Sequence, residues 1–237
     1  MLTVRLRFEN STPFERGNRV LPDDIVSESV NPPSREIRAL LPELTSESLQ
    51  LSSKLQALAS EDDRCVLVAG LNEGESSPAI ALELAVGLSA IDGQSVLLVD
   101  ANLRSPWLHE RFDMSPQPGL TNVLGASPAI VAGAVRMVKP NLGLLPVGTA
   151  KADSSIFTST AFSELLEMEL RPRFRFIIIN SAPFVQYADA NLIASRADGV
   201  VITLTSGRHH RTELLDLTSE LESMRAKIFG TVLCDDK

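Results

Sequence analysis

Four short runs limit what this chain can fold into: CVLVAG at 65–70, SVLLVDA at 95–101, FIIINSA at 176–182 and GVVITLT at 199–205. Each is rich in β-branched residues and nearly continuous in apolar character, which suits parallel strands buried on both faces rather than a half-exposed sheet. NLGLLPVG at 141–148 and KIFGTVLC at 227–234 read as two more strands. Between them lie helical patterns, SSPAIALELAVGLSAIDG, SSIFTSTAFSELLEMELRP and TELLDLTSELESMRA. This alternation predicts an α/β fold with right-handed crossovers. The expected architecture is a doubly wound, mostly parallel sheet with helices on both faces and ligand chemistry at the carboxyl ends of its strands.

Residues 1–42 mix charges with Pro13, Pro22, Pro32 and Pro33 and show no sustained periodicity, so they read as a flexible or loosely docked segment. The domain is expected over 43–237 and opens with a helix at about 43–60. There Leu44, Leu51, Leu55 and Leu58 recur at helical spacing and Thr45 or Ser46 can serve as N-cap. A chain of 237 residues, 44% hydrophobic, can bury the core such a domain needs. The net charge of −8 argues against a nucleic-acid partner, because phosphate backbones select clustered Lys and Arg. No apolar run approaches the roughly 20 residues that cross a bilayer, and the first residues lack a signal-peptide core, so a cytoplasmic location without membrane insertion is expected. Cys65 and Cys234 are expected as buried free thiols. His209 and His210 are expected as a solvated pair, and no metal site is expected.

Residues 66–86, VLVAGLNEGESSPAIALELAV, add a strand, a polar glycine-containing turn and a helix, the frame of a phosphate-binding loop. An intact loop offers a glycine for close backbone approach, a Lys for the β and γ phosphates and a Ser/Thr hydroxyl for magnesium. This chain has Ser76, Ser77 and Pro78 at those places. Ser77 carries no charge, and Pro78 has neither a hydroxyl nor an N–H. Shifting the register puts Glu75 at the Lys position, where it would repel a triphosphate. Gly74 to Pro78 therefore read as a degenerate loop, either a capped helix start or a residual phosphate site.

Taken in order, these segments resemble the cytoplasmic ATPase domain of the bacterial tyrosine kinases of capsule and exopolysaccharide systems, relatives of the septum-site and partition P-loop ATPases. The resemblance spans roughly residues 43–234 and includes SVLLVDANLRSPWLHERF, PGLTNVLG, LGLLPVG and DGVVITLTSGRHHR as well as the loop. It implies carboxylates for magnesium and the attacking hydroxyl at the ends of two strands. Asp100 is kept, but Asn102 and Asn180 stand where the family carries Asp. An amide can accept a hydrogen bond but is uncharged and a poor base. Asp100 is thus a vestige or a surviving functional carboxylate. Arg104 with Asp189 fits a site or a structural ion pair, and Trp107 fits a contact residue or a core filler.

Cys234 replaces an Asn expected near the base, Tyr187 is the single tyrosine, and the ring-assembly motif reads Glu47, Gln50 and Ser53, without its arginines. These departures predict a catalytically inactive, non-enzymatic protein with no catalytic residue, binding ATP and magnesium weakly or not at all. Its implied partner is the cytoplasmic tail of a membrane-anchored polysaccharide co-polymerase, which would hold it peripherally at the inner membrane. A homo-oligomer would lack the family's ring contacts. The enzyme alternative is a weak or atypical ATP-binding tyrosine kinase or ATPase.

Overall fold

A computed structural model of the chain describes residues 5–7, 42–91, 94–149 and 153–235. One mixed sheet organises them, in the order β1-β8-β7-β2-β6-β3-β5-β4. The strands are β1 (Arg5–Arg7), β2 (Cys65–Gly70), β3 (Val96–Ala101), β4 (Arg136–Lys139), β5 (Leu142–Leu145), β6 (Phe176–Ser181), β7 (Gly199–Thr205) and β8 (Ile228–Cys234). Strands β8, β7, β2, β6, β3 and β5 run parallel, and the short β1 and β4 close the two edges antiparallel. All six strands expected from sequence are present. Neither edge strand is assigned from sequence, since three or four residues are too few to carry a strand pattern. Apart from β1, which pairs with β8, the expected segment 1–42 lies outside the described residues save for Pro42.

Alternate residues of the central strands enter different cores. Cys65, Leu67 and Ala69 of β2 with Ile177 and Ile179 of β6 pack on one face, while Val66 and Val68 with Phe176 and Ile178 pack on the other. The continuous apolar runs follow from this, because every position meets a helix layer.

The second face carries α1 (Ser46–Leu58), α2 (Ser77–Ser89) and α3 (Leu108–Arg111). The first face carries α4 (Leu120–Val123), α5 (Pro128–Ala134), α6 (Thr160–Glu164), α7 (Asp189–Ala194) and α8 (Arg211–Ser223). The long helix read over 154–172 is broken into a 3₁₀ turn at Ser154–Thr158, α6, and a π-helical turn at Leu165–Leu170. Ser159 interrupts it by capping α6, its hydroxyl accepting from the Phe162 N–H at 3.2 Å.

Thr45 caps α1 reciprocally with Ser48, as the sequence allowed. Leu44 lies before the cap and is exposed, so it does not join the buried stripe of Leu51 and Leu55. Helix α1 reaches α2 through small residues. A methyl group on Gly87 would stand 2.1 Å from Ser52 Oγ and 2.6 Å from the Ser48 carbonyl oxygen. In an isolated helix Gly87→Ala would stabilise by about 1 kcal/mol. Here the methyl pushes α1 off α2, and the substitution should destabilise by about 1–3 kcal/mol. A lowered urea midpoint at constant slope is the expected readout, and a raised midpoint would show that the helices are not in contact at this point.

Candidate functional site

The loops that follow β2, β3 and β6 meet at the carboxyl edge of the sheet and border a cleft of about 520 Å³. Gly70 ends β2 with the loop folded back over it, since a Cβ there would lie 2.6 Å from Glu75 Cβ. Gly74 takes φ +82°, a conformation glycine adopts without strain. Ser77 then opens α2, with Pro78 in its first turn, where a missing N–H leaves no helical bond unmade.

Glu75 does not point its charge into the cleft. Its carboxylate accepts from the Thr205 hydroxyl at 2.6 Å and meets His209 Nε2, leaving the side chain 2% exposed. His209 Nδ1 lies 3.3 Å from both Glu213 Oε2 and Asn72 Nδ2. Asn72 Oδ1 in turn accepts from Gln186 at 2.8 Å. Tyr187 donates to Glu73 at 2.8 Å, a bond that raises the phenol's pKa. These bonds tie the loop to the segments after β6 and β7.

The expected solvated histidine pair is thus corrected. His210 is exposed, but the His209 side chain is 10% exposed and bridges the loop to α8. The sequence signal was the i, i+4 spacing of His209 and Glu213 at the start of a helix.

At the end of β3, Asp100 is fully buried. Its carboxylate accepts four N–H groups: Asn180 Nδ2 at 3.2 Å and the backbones of Asn102 at 3.3 Å, Trp107 at 3.1 Å and Leu108 at 3.0 Å. Burial nevertheless pushes its pKa above the ordinary 3.8, and those bonds only partly oppose the shift. Asn102 Oδ1 accepts from the Arg104 and Ser105 N–H groups at 3.1 and 3.0 Å, shaping the same turn. Asn180 sits opposite Asp100 in the parallel register of β3 and β6, and its Oδ1 is buried without a partner.

Arg104 binds Asp189 through Nε and Nη2 at 3.2 and 3.1 Å, reaches Ser154 Oγ at 2.7 Å and lies 5.1 Å from the centre of the Tyr187 ring. The ion-pair reading of these two residues is the one the geometry supports. Trp107 packs, partly buried, against the core cluster and also lines the cleft.

Loop residues Gly74 to Pro78 and Asn102 line one cleft, whereas Asp100 and Asn180 lie beneath it within the sheet. Among the described residues no group of three or more His, Cys, Asp or Glu is gathered to hold a metal. Cys65 and Cys234 are buried free thiols, and burial pushes them to about 12 and about 11. No described helix is long and apolar enough to cross a membrane.

No protein-family profile matches the chain. Among curated proteins it is 26% identical over 170 residues to the tyrosine-protein kinase YwqD of Bacillus subtilis, covering 72% of this chain and 71% of that one. It is 28% identical over 182 residues to the succinoglycan biosynthesis transport protein ExoP of Rhizobium meliloti, covering 75% of this chain but only 23% of ExoP. Among solved structures the VpsO kinase domain superposes with a TM-score of 0.71 at 25% identity, covering 81% of this chain and 97% of that one. A ParA family ATPase from Chlorobium tepidum shares the fold more distantly, with a TM-score of 0.53 at 15% identity, covering 73% and 74% of the two chains. These likenesses overturn the expectation of a non-enzymatic chain, because several of the proteins it matches are named tyrosine kinases and its solved neighbours include kinase domains. Substituted polar positions in one sequence are weaker evidence on activity than the named activity of several relatives.

The Asp100 bonds make a testable claim. Asp100→Asn replaces an acceptor oxygen with a donor facing N–H groups and should cost about 1–3 kcal/mol, read by denaturant unfolding. The folded-state pKa is raised, so the stability this group contributes is fully present below 3.8 and is lost as pH rises through the folded value. The difference between the two proteins should therefore narrow as pH rises from below 3.8. A constant difference across that range would show that Asp100 has the same pKa in the folded and unfolded chains.

Proposed function

We propose, for a chain whose homologues are bacterial tyrosine kinases and whose fold is that of their kinase domains, a role as the cytoplasmic kinase-type component of a polysaccharide assembly and export system. It binds nucleotide weakly and in an atypical geometry. The observation that supports this reading is the open cleft at the carboxyl ends of β2, β3 and β6, beside the loop and helix start of the phosphate-binding frame of residues 66–86. ExoP, named for succinoglycan biosynthesis and transport, supports the polysaccharide setting.

The lining fits a magnesium triphosphate poorly. Ser77 supplies no cation and Pro78 no backbone donor for phosphates, and Arg104 is engaged by Asp189. Asp100 has both oxygens committed to N–H donors. Glu75, however, is held by Thr205 and His209, so the outright repulsion expected from the shifted register is removed. Weak rather than forbidden binding is the outcome.

The partner is the cytoplasmic tail of a membrane-anchored polysaccharide co-polymerase, which keeps the chain at the inner face of the membrane. Self-association does not use arginine clamps on α1, where Glu47, Gln50 and Ser53 stand.

A fluorescent ATP analogue, titrated with and without magnesium, should show no saturation below about 100 μM, a concentration that corresponds to roughly −5.5 kcal/mol. Micromolar affinity would overturn the weak-binding reading. Ser77→Lys combined with Pro78→Ser should tighten binding at least about tenfold, or 1.4 kcal/mol. Immobilised co-polymerase tails should retain the protein, and failure to recover it would argue against the partnership.

A further inference from the structure

The charged groups that border the cleft are already committed. Glu75 is held by Thr205 and His209, and Arg104 is held by Asp189 and Ser154. The polar atoms left to meet a ligand, apart from Nη1 of the Asp189-paired Arg104, are neutral with one exception. No hydrogen bond among the described residues engages the hydroxyls of Ser77 and Ser105 or the Nδ2 of Asn102, and the exception is Glu73, whose Oε1 alone accepts from Tyr187. Two aromatic rings, Trp107 and Tyr187, line the same space.

Hydroxyls, an amide and one carboxylate beside two aromatic side chains match one ligand chemistry better than others. A sugar presents adjacent hydroxyls that both donate and accept, and apolar C–H faces that pack on aromatic rings. Among the described residues that line the cleft, a polyanion would meet one cation, Arg104, already paired with Asp189, and a cation would find one incompletely engaged carboxylate. The cleft, at about 520 Å³, is in the size range of small-ligand sites.

We infer that the cleft between the loops after β2, β3 and β6 is a binding site for a neutral saccharide, with Trp107 and Tyr187 as packing surfaces and Glu73, Ser77, Asn102 and Ser105 as hydroxyl partners. This inference rests on the lining of the cleft and does not require that nucleotide bind there.

Trp107 is the single tryptophan of the chain, so its emission reports ligand entry directly. The full chain is titrated with neutral gluco- and galacto-tetraoses, a uronic acid tetraose and ATP. The neutral sugars should give a saturable emission change with a dissociation constant near about 1 mM, typical of a shallow polar site, and magnesium should not alter it. Glu73→Gln and Tyr187→Ala, both on surface loops, should each weaken binding at least about threefold with unchanged circular dichroism. Calorimetry on Trp107→Leu should show the same loss without relying on fluorescence. No saturable response to either neutral sugar up to about 20 mM, or a response to ATP or the uronic acid alone, overturns the inference. Weak ATP-analogue binding without sugar binding removes the saccharide site and leaves the nucleotide reading intact. Sugar binding without any nucleotide binding does the reverse.

Discussion

Burial of both faces of β2, β6 and β3 governs everything else in this structure. With helices on each side, the side chains of these strands sit in one of two apolar clusters, and a polar residue there costs free energy unless something answers it. The buried polar positions on the central strands whose side chains find partners accordingly gather at their carboxyl ends: Asp100 on β3, Asn180 and Ser181 on β6, and Thr205 on β7. Each lies where a strand gives way to a loop, and loops can bring backbone N–H groups to a buried acceptor. Asp100 collects three such backbone groups and so fixes the turn that carries Asn102, Arg104 and Trp107 to the cleft. The sheet therefore positions the site through one carboxylate rather than through direct contact with a ligand.

The loop after β2 is held by a different device. Its acidic residues face protein partners: Glu75 reaches β7 and His209, and Glu73 meets Tyr187. Side-chain bonds of this kind fasten a loop that in a phosphate-binding frame would be fastened by its ligand. They also explain why two glutamates can stand beside a helix N-terminus facing a cleft without leaving unpaired negative charge buried there. Loop and partners come from segments separated by more than 110 residues, so the fold must be complete before the loop takes this shape.

Sequence patterns revealed the sheet more readily than the site. Continuous β-branched runs such as FIIIN and VVITL have few alternatives to doubly buried strands, and the capping of α1 by Thr45 follows from local chemistry. The edge strands and the broken helix over 154–170 were not legible, because β1 pairs with β8 at the far end of the chain, β4 is only four residues long, and Ser159 caps α6 inside a stretch that otherwise reads as one helix. At the site, the residues of the frame were found from their order alone. The roles of Glu75 and His209 were misread, since they are 134 residues apart and only the β2–β7 pairing brings them together. Whether altered polar residues abolish activity is likewise not a pattern in the chain, and relatives named as kinases outweigh it.

The pairing of Asp100 with Asn180 shows how one substitution changes what a buried site requires. In parallel register the two residues face each other across β3 and β6, both fully buried. Two carboxylates at that separation would repel in a low-dielectric interior, and one would be driven to hold a proton unless a cation lay between them. An amide removes the repulsion and donates instead, at 3.2 Å, so the pair is self-sufficient without an ion. The cost falls on Asn180 Oδ1, which is left buried and unpartnered, a burden on the order of 1–3 kcal/mol. That expense is tolerable in a sheet this thoroughly packed. It places the polar centre of the site under structural control, with ligand chemistry left to the loops above it.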